Sequence, residues 1–150
     1  MENKIEIRYS IKNDLEQLPW LYRQSYGGET KEMTNYENML TQYEKLITNN
    51  DYKFISAVHE NKLIGFCSVV INHNIVENQQ PILMIWNLRV HPEYRKQGVG
   101  KSIMHFVEKF GKTINADCIF LGCDKNNTGA KKFYINLNYD ECLAFVKPID

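Results

Sequence analysis

Apolar and polar residues alternate from Lys4 to Ser10, and a period of two predicts a short strand. The period then lengthens. Leu15, Leu18, Leu21 and Tyr22 recur at helical spacing behind Asp14 as the expected cap, and Pro19 inside the stretch fits only a helix start or a kink. Gly27-Gly28 breaks the pattern, and Tyr36, Met39, Leu40, Tyr43, Leu46 and Ile47 predict a further helix over Asn35–Ile47. Phe54–His59 and Leu63–Ile71 read as strands joined by a tight hairpin at Glu60-Asn61-Lys62. A polar stretch then leads through Pro81 into the apolar run Ile82–Val90. The next helix carries Ile103, Met104, Phe106, Val107 and Phe110 on one face, with Gly111 expected to end it. Asp117–Cys123 predicts a buried strand, Asn127–Leu137 a helix and Cys142–Val146 a last strand. Helices first, hairpin-linked strands next and a β-α-β-α-β tail describe an α+β (α/β layered) fold in one domain over residues 1–150.

Composition narrows the partners. Of the 150 residues 43% are hydrophobic, enough for a core without staples, since a domain of this length buries roughly 70% of its unfolded surface. The 18 basic residues equal the 18 acidic ones, so no bulk attraction to nucleic acid or to an anionic membrane is expected. Any anion bound here must be held by local geometry. Cys67, Cys118, Cys123 and Cys142 show no metal-ligand spacing, so no metal site is expected and buried free thiols are. The first residues lack an apolar signal core and no run approaches a membrane span, which makes the expected location cytoplasmic.

The chemistry concentrates in Asn87-Leu88-Arg89-Val90-His91-Pro92-Glu93-Tyr94-Arg95-Lys96-Gln97-Gly98-Val99-Gly100-Lys101-Ser102. A strand ends near Val90 and a helix begins near Gly98. The first helical turn has N–H groups without partners and about half a positive charge from the macrodipole, and glycine lets an anion approach them closely. Arg95, Lys96 and Lys101 add positive charge. Gly100-Lys101-Ser102 imitates the end of a P-loop, but Arg95 stands where that motif needs its first glycine. A dinucleotide fingerprint would need glycine at Ile103. An ordinary helix start ringed by surface lysines stays open on the loop alone.

Arg95-Lys96-Gln97-Gly98-Val99-Gly100 resembles the [RQ]-x-x-G-x-[GA] motif of the GNAT N-acetyltransferase superfamily. Asn127-Thr128-Gly129-Ala130-Lys131-Lys132-Phe133-Tyr134 resembles its downstream N-x-x-A-x-x-[FL]-Y motif, with Asn138-Tyr139 in place of the usual Gly-Phe. The resemblance spans essentially the whole chain. It implies a GNAT fold with a mixed central sheet of six to seven strands, splayed at strands 4/5, and about four helices. It implies acetyl-CoA as co-substrate, its pantetheine paired with the backbone of Leu88, Arg89 and Val90. The backbone from Arg95 through Lys96, Gln97, Gly98, Val99, Gly100, Lys101 and Ser102 would grip the pyrophosphate, and Asn127 would contact the pantetheine or adenosine region. A backbone N–H near Leu88 would face the developing oxyanion and Tyr134 would protonate the departing thiolate.

The general base is not implied. Met84, Ile85 and Trp86 stand where several family members carry a glutamate, leaving Glu29, His73, Glu77, Asp124 or a water chain. Trp20, Tyr22, Tyr26, Tyr36 and Tyr43 fall where the family builds its acceptor pocket. The expected activity is acetyl transfer to the primary amine of a small molecule, a peptide amine being second choice. A non-catalytic acyl-CoA sensor of the same fold is the alternative. Relatives often dimerise through C-terminal strands, so a monomer or a homodimer through Cys142–Asp150 is expected.

Overall fold

The structure, a computed structural model, describes residues 4–26, 36–76 and 79–149. It divides into two compact units, Met1–Phe120 and Leu121–Asp150. The first is built on β1 (Glu6–Tyr9), β2 (Tyr52–His59), β3 (Lys62–Asn72) and β4 (Ile82–Val90), antiparallel neighbours in that order. β5 (Cys118–Leu121) lies beside β4 and parallel to it. The sheet therefore has five strands among the described residues, fewer than the six to seven expected. Cys142–Val146 forms no strand, and Leu143, Phe145 and Val146 are 81%, 90% and 94% exposed. Their apolar sequence promised a strand, but a strand needs an edge to pair with and this segment makes no ladder.

α1 (Lys12–Glu16) and α2 (Leu18–Tyr26) are separate helices joined at Gln17, which keeps helical dihedrals (φ −87°, ψ −9°) but donates to Asp14 O only three residues back (3.1 Å); Pro19 then sits in the first turn of α2, where its missing N–H costs nothing. Asp14 is not the cap of α1 but its third residue. Its buried carboxylate reaches back to the Ile11 N–H (2.9 Å) and takes the Arg8 guanidinium from β1. Gln17 binds the hairpin, its amide donating to the Asn61 carbonyl (3.1 Å) and accepting from the Leu63 N–H (2.9 Å). The hairpin itself turns on Glu60 and Asn61, both left-handed at φ 49° and 63°, the conformation of a type I′ turn. α3 (Tyr36–Leu46) closes over the same sheet face through Met39 and Tyr43.

α4 (Val99–Thr113) buries Val99, Ile103, Met104 and Val107 on the opposite face. It runs past Gly111, which ends nothing. A β-carbon there would lie 3.1 Å from Leu83 Cδ1, so glycine lets the helix pack on β4 without pushing that side chain aside. The terminator is Asn115 at φ 54°, followed by the Ala116 N–H donating to Gly111 O (2.9 Å). Cys67 is the buried thiol, whereas Cys118, Cys123 and Cys142 are exposed, against expectation. Two of these lie in or after the short edge strand β5, whose residues alternate between exposed and half-buried positions.

Candidate functional site

β4 is not a continuous strand. Ser68 on β3 pairs with Trp86, and Phe66 pairs with Arg89, so Asn87 and Leu88 together oppose Cys67. This is a β-bulge, with Asn87 at φ 60°. The bulge is fastened on every side. Ser68 Oγ donates to Trp86 O (3.1 Å) and accepts from Asn87 Nδ2 (3.3 Å). The Tyr22 hydroxyl of α2 donates to Asn87 O (3.1 Å), and Arg89 lies over the Tyr22 ring at 5.6 Å. Burial pushes the Tyr22 phenol well above its ordinary range, against the opposing pull of Arg89, so it stays a donor. Leu88 has no partner on β3, which is where the sequence expected an oxyanion donor.

The bulge opens onto a cavity of about 360 Å³. Its walls are Leu15, Leu18 and Tyr22 from α1 and α2, Met39, Leu40, Gln42, Tyr43 and Leu46 from α3, and Tyr52, Phe54, Phe66, Ser68, Val70, Trp86 and Asn87 from β2 to β4. Tyr22 and Tyr43 are thus pocket residues, as is Trp86, which is 54% exposed. Trp20 is not: its ring stacks on the buried His91 (centroids 5.0 Å, 16°), with Lys62 Nζ 4.7 Å from its centroid. The Gly27-Gly28 break, Glu29, Glu77 and the side chains of Tyr26 and Tyr36 lie outside the described residues.

After Val90 the chain is pinned by His91, whose Nδ1 accepts from the Glu93 N–H (3.2 Å), and by a 3-10 turn at Pro92–Tyr94. Burial holds the His91 imidazole below its usual pKa; Glu93 opposes this, while the Lys62 and Arg95 cations assist it. Arg95 reaches away from the turn, donating from Nε to Val90 O (3.1 Å) and from Nη2 to Ser25 O (3.3 Å). Gln97 donates to Glu93 O (2.7 Å). Lys96 (φ 58°) and Gly98 (φ 84°) are left-handed, the kind of backbone that forms anion-binding concavities.

Gly98 is the N-cap of α4 and gives the first turn no side-chain acceptor; no acidic residue stands in that turn either. A β-carbon at Gly98 would meet nothing within 4 Å. The start of a fifteen-residue helix is thus uncapped, open and flanked by the exposed Lys96, Lys101 and Ser102. The buried Val99 instead packs into the core. These residues fit a pyrophosphate.

In the second unit, α5 (Thr128–Asn136) starts at Asn127, whose Oδ1 accepts from the Ala130 N–H (3.1 Å). That bond explains the asparagine that opens the motif. Tyr134 lies near the end of α5, its ring 5.1 Å from Phe133 and 5.8 Å from Tyr139. Its carbonyl accepts from the Tyr139 N–H (3.0 Å), and the Asn138 N–H donates to Ile135 O (3.0 Å). Asn138 is left-handed at φ 65°, so asparagine closes this helix as glycine would. Lys131 pairs with Glu141 (3.0 Å), and Asp124 accepts from the Asn126 N–H (2.8 Å) as a turn residue. His73, the remaining candidate base, is exposed and bound to Asp51 (2.7 Å).

The bulge and its fastener Ser68 are not among the residues expected from sequence. A signal was there: Leu83 and Ile85 face α4, strict alternation would send polar Asn87 the same way, and Val90 rejoins that side only if one residue is inserted.

The sequence pattern of the Acetyltransferase (GNAT) family matches residues 13–139. A spermidine N(1)-acetyltransferase of Thermoplasma acidophilum is 27% identical over 146 residues, covering 88% of this chain and 86% of its own. An uncharacterised N-acetyltransferase of Archaeoglobus fulgidus is 24% identical over 131 residues, covering 87% and 89%. Among solved structures, an aminoglycoside acetyltransferase, AAC(6')-Iy, in complex with a CoA bisubstrate analogue superposes with a TM-score of 0.80 at 21% identity, covering 98% of each chain. The bulged strand, the open glycine turn and the uncapped helix behind it lie inside the matched span, and this chain belongs to the GNAT acetyltransferase family.

Proposed function

We propose that this acyltransferase moves the acetyl group of acetyl-CoA to the primary amine of a small molecule. The observation that carries the reading is the pairing on one strand, β4, of a bulge beside an apolar cavity with an exit into an open, uncapped helix start. When bound, acetyl-CoA supplies an activated thioester. The N–H groups from Gln97 to Ser102 hold the pyrophosphate, with Lys96 and Lys101 as counter-charges; Arg95 braces the turn, and Arg89 and Val90 carry the strand edge. The Leu88 N–H, displaced from the ladder by the bulge, stabilises negative charge on the thioester oxygen. Tyr134 donates the proton that the sulfur requires, a role worth roughly 10²–10⁴-fold, and Asn127 fixes the start of the helix that carries it.

The aminoglycoside and spermidine acetyltransferases resembling this chain are named for amine acceptors, which supports the amine reading. One observation favours the sensor alternative: no carboxylate or imidazole is among the described residues lining the cavity. Thiol release from acetyl-CoA with a panel of amines separates the two. We expect turnover, and Tyr134→Phe should lower kcat with coenzyme A affinity nearly unchanged. Tight coenzyme A binding without turnover of any amine would favour the sensor.

A further inference from the structure

We propose that the cavity at the β4 bulge accepts a primary amine carried on an aromatic or branched apolar body, and accepts it uncharged. This deepens the acetyl-transfer reading and rests on it. About 360 Å³ holds one ring with a short side chain, and the ring walls Tyr22, Phe54 and Trp86 give it flat apolar partners. The polar groups at the wall are hydroxyls and amides, Ser68 and Asn87 at the bulge and Gln42 on α3.

No Asp, Glu, Lys, Arg or His is among the described lining residues. Among the described residues the titratable groups that face the cavity are phenols: Tyr22 from α2, Tyr43 from α3 and Tyr52 from β2. Burial pushes Tyr22 and Tyr43 upward, so both stay neutral at ordinary pH. Behind the wall, burial pushes the Cys67 thiol up to about 12. Among the described residues the charged groups that bear on these phenols are Arg89, a cation, and Asp14, whose carboxylate is already held by Arg8. Among the described lining residues an ammonium ion entering here meets no anion, it loses its water, and Arg89 is a cation beyond Tyr22, so its proton is left in solvent.

Selection of the free base does the work of a general base, which none of the described lining residues offers. The amine nitrogen forms the C–N bond to the acetyl carbon, the C–S bond breaks, and one amine proton ends on the sulfur, giving an amide and the coenzyme A thiol. A polyamine or aminoglycoside, by contrast, would leave further ammonium groups unpaired in an apolar cavity.

The full chain with acetyl-CoA should be assayed against 2-phenylethylamine, its 2,2-difluoro analogue of lower amine pKa, and spermidine. We expect kcat/KM for the phenyl amine to exceed that for spermidine by at least ~10-fold, the scale of a single lost apolar contact or more. The rising limb of the pH profile should shift to lower pH for the difluoro amine by the difference in the two amines' own pKa values. Equal or better turnover of spermidine overturns the substrate class, and an inflection fixed at one pH for both phenyl amines overturns uptake of the free base; the acetyl-transfer reading survives either. Leu40→Asp, which adds a carboxylate to the wall, should gain spermidine turnover and lose phenylethylamine turnover, a reversal that misfolding cannot produce. Calorimetric binding of 2-phenylethylamine, weakened in Trp86→Ala, supports the pocket even if no amine is acetylated, in which case acetyl transfer itself fails. Absence of that binding sinks the pocket.

Discussion

Gly98→Ala adds one methyl group at φ 84°, where the surrounding protein offers it open space. The fold feels only the backbone: a left-handed non-glycine residue costs about 1–2 kcal/mol. For a domain of this size each kcal/mol lowers Tm by roughly 2–4 °C. The cradle feels much more, because the methyl group occupies the approach to the first-turn N–H groups of α4. Loss of one charge-assisted hydrogen bond from the pyrophosphate costs about 1.5–3 kcal/mol, or roughly 10- to 100-fold in Kd. Calorimetry with coenzyme A and a thermal melt on the same sample read the two effects separately. Gly65→Ala is the matched control: its β-carbon would sit 3.0 Å from Ile103 Cδ1 and 3.1 Å from Ala57 Cβ, so it overpacks the core. We expect Gly65→Ala to lower Tm with coenzyme A affinity retained, and Gly98→Ala to do the opposite in proportion. Parental coenzyme A affinity in Gly98→Ala would refute the assignment of this turn.

Ser68→Ala removes the two hydrogen bonds by which Ser68 fastens the bulge and leaves the one from Tyr22; stability should fall by about 1–2 kcal/mol and kcat by more than coenzyme A affinity, and an unaltered kcat would detach the bulge from catalysis. Asn138→Ile, at φ 65°, should cost about 1–2 kcal/mol, whereas Asn138→Gly should be tolerated, as chemical denaturation can establish. The His91 imidazole is held below its usual pKa of 6.5 in the folded chain, so the unfolded chain binds the proton first as pH falls. Its contribution is complete above pH 6.5 and declines below it; melts of parent and His91→Asn across that range should converge toward acid, and parallel curves would contradict the assignment.

Elements with a single strong period were legible in the sequence. Ile82–Val90 matches β4 at both ends, and the α4 face of Ile103, Met104 and Val107 is buried as its spacing required. The open glycine start of α4 was legible too, since a helix start behind a strand leaves its donors free whatever lies around it. The errors came where a residue type has two uses. Glycine ends helices and also permits close packing, and only Leu83, distant in sequence, decides which applies at Gly111. Asp14 reads as a cap by type but sits three residues in, drawn by Arg8. Cys142–Val146 has strand composition but pairs with no strand, and pairing is a tertiary fact. Arg95 was read as loose charge, yet its guanidinium ties two backbone carbonyls together. The cavity itself depends on three helices and three strands meeting, which no local pattern encodes.

The inserted residue in β4 acts as a reading-frame shift written in geometry. Upstream of it Leu83 and Ile85 point to α4, and downstream Val90 does, although Val90 is five positions on from Ile85, an odd step. Deleting either Asn87 or Leu88 would restore a regular ladder and leave Arg89 opposite Phe66 and Val90 opposite Gly65, so both would keep the faces they have now. The deletion would take away only the extra residue that stands outside the ladder. A one-residue deletion elsewhere in β4 would instead turn one end of the strand over. At this one place the strand can change length without exchanging its faces, and what it would lose is the unpaired residue itself.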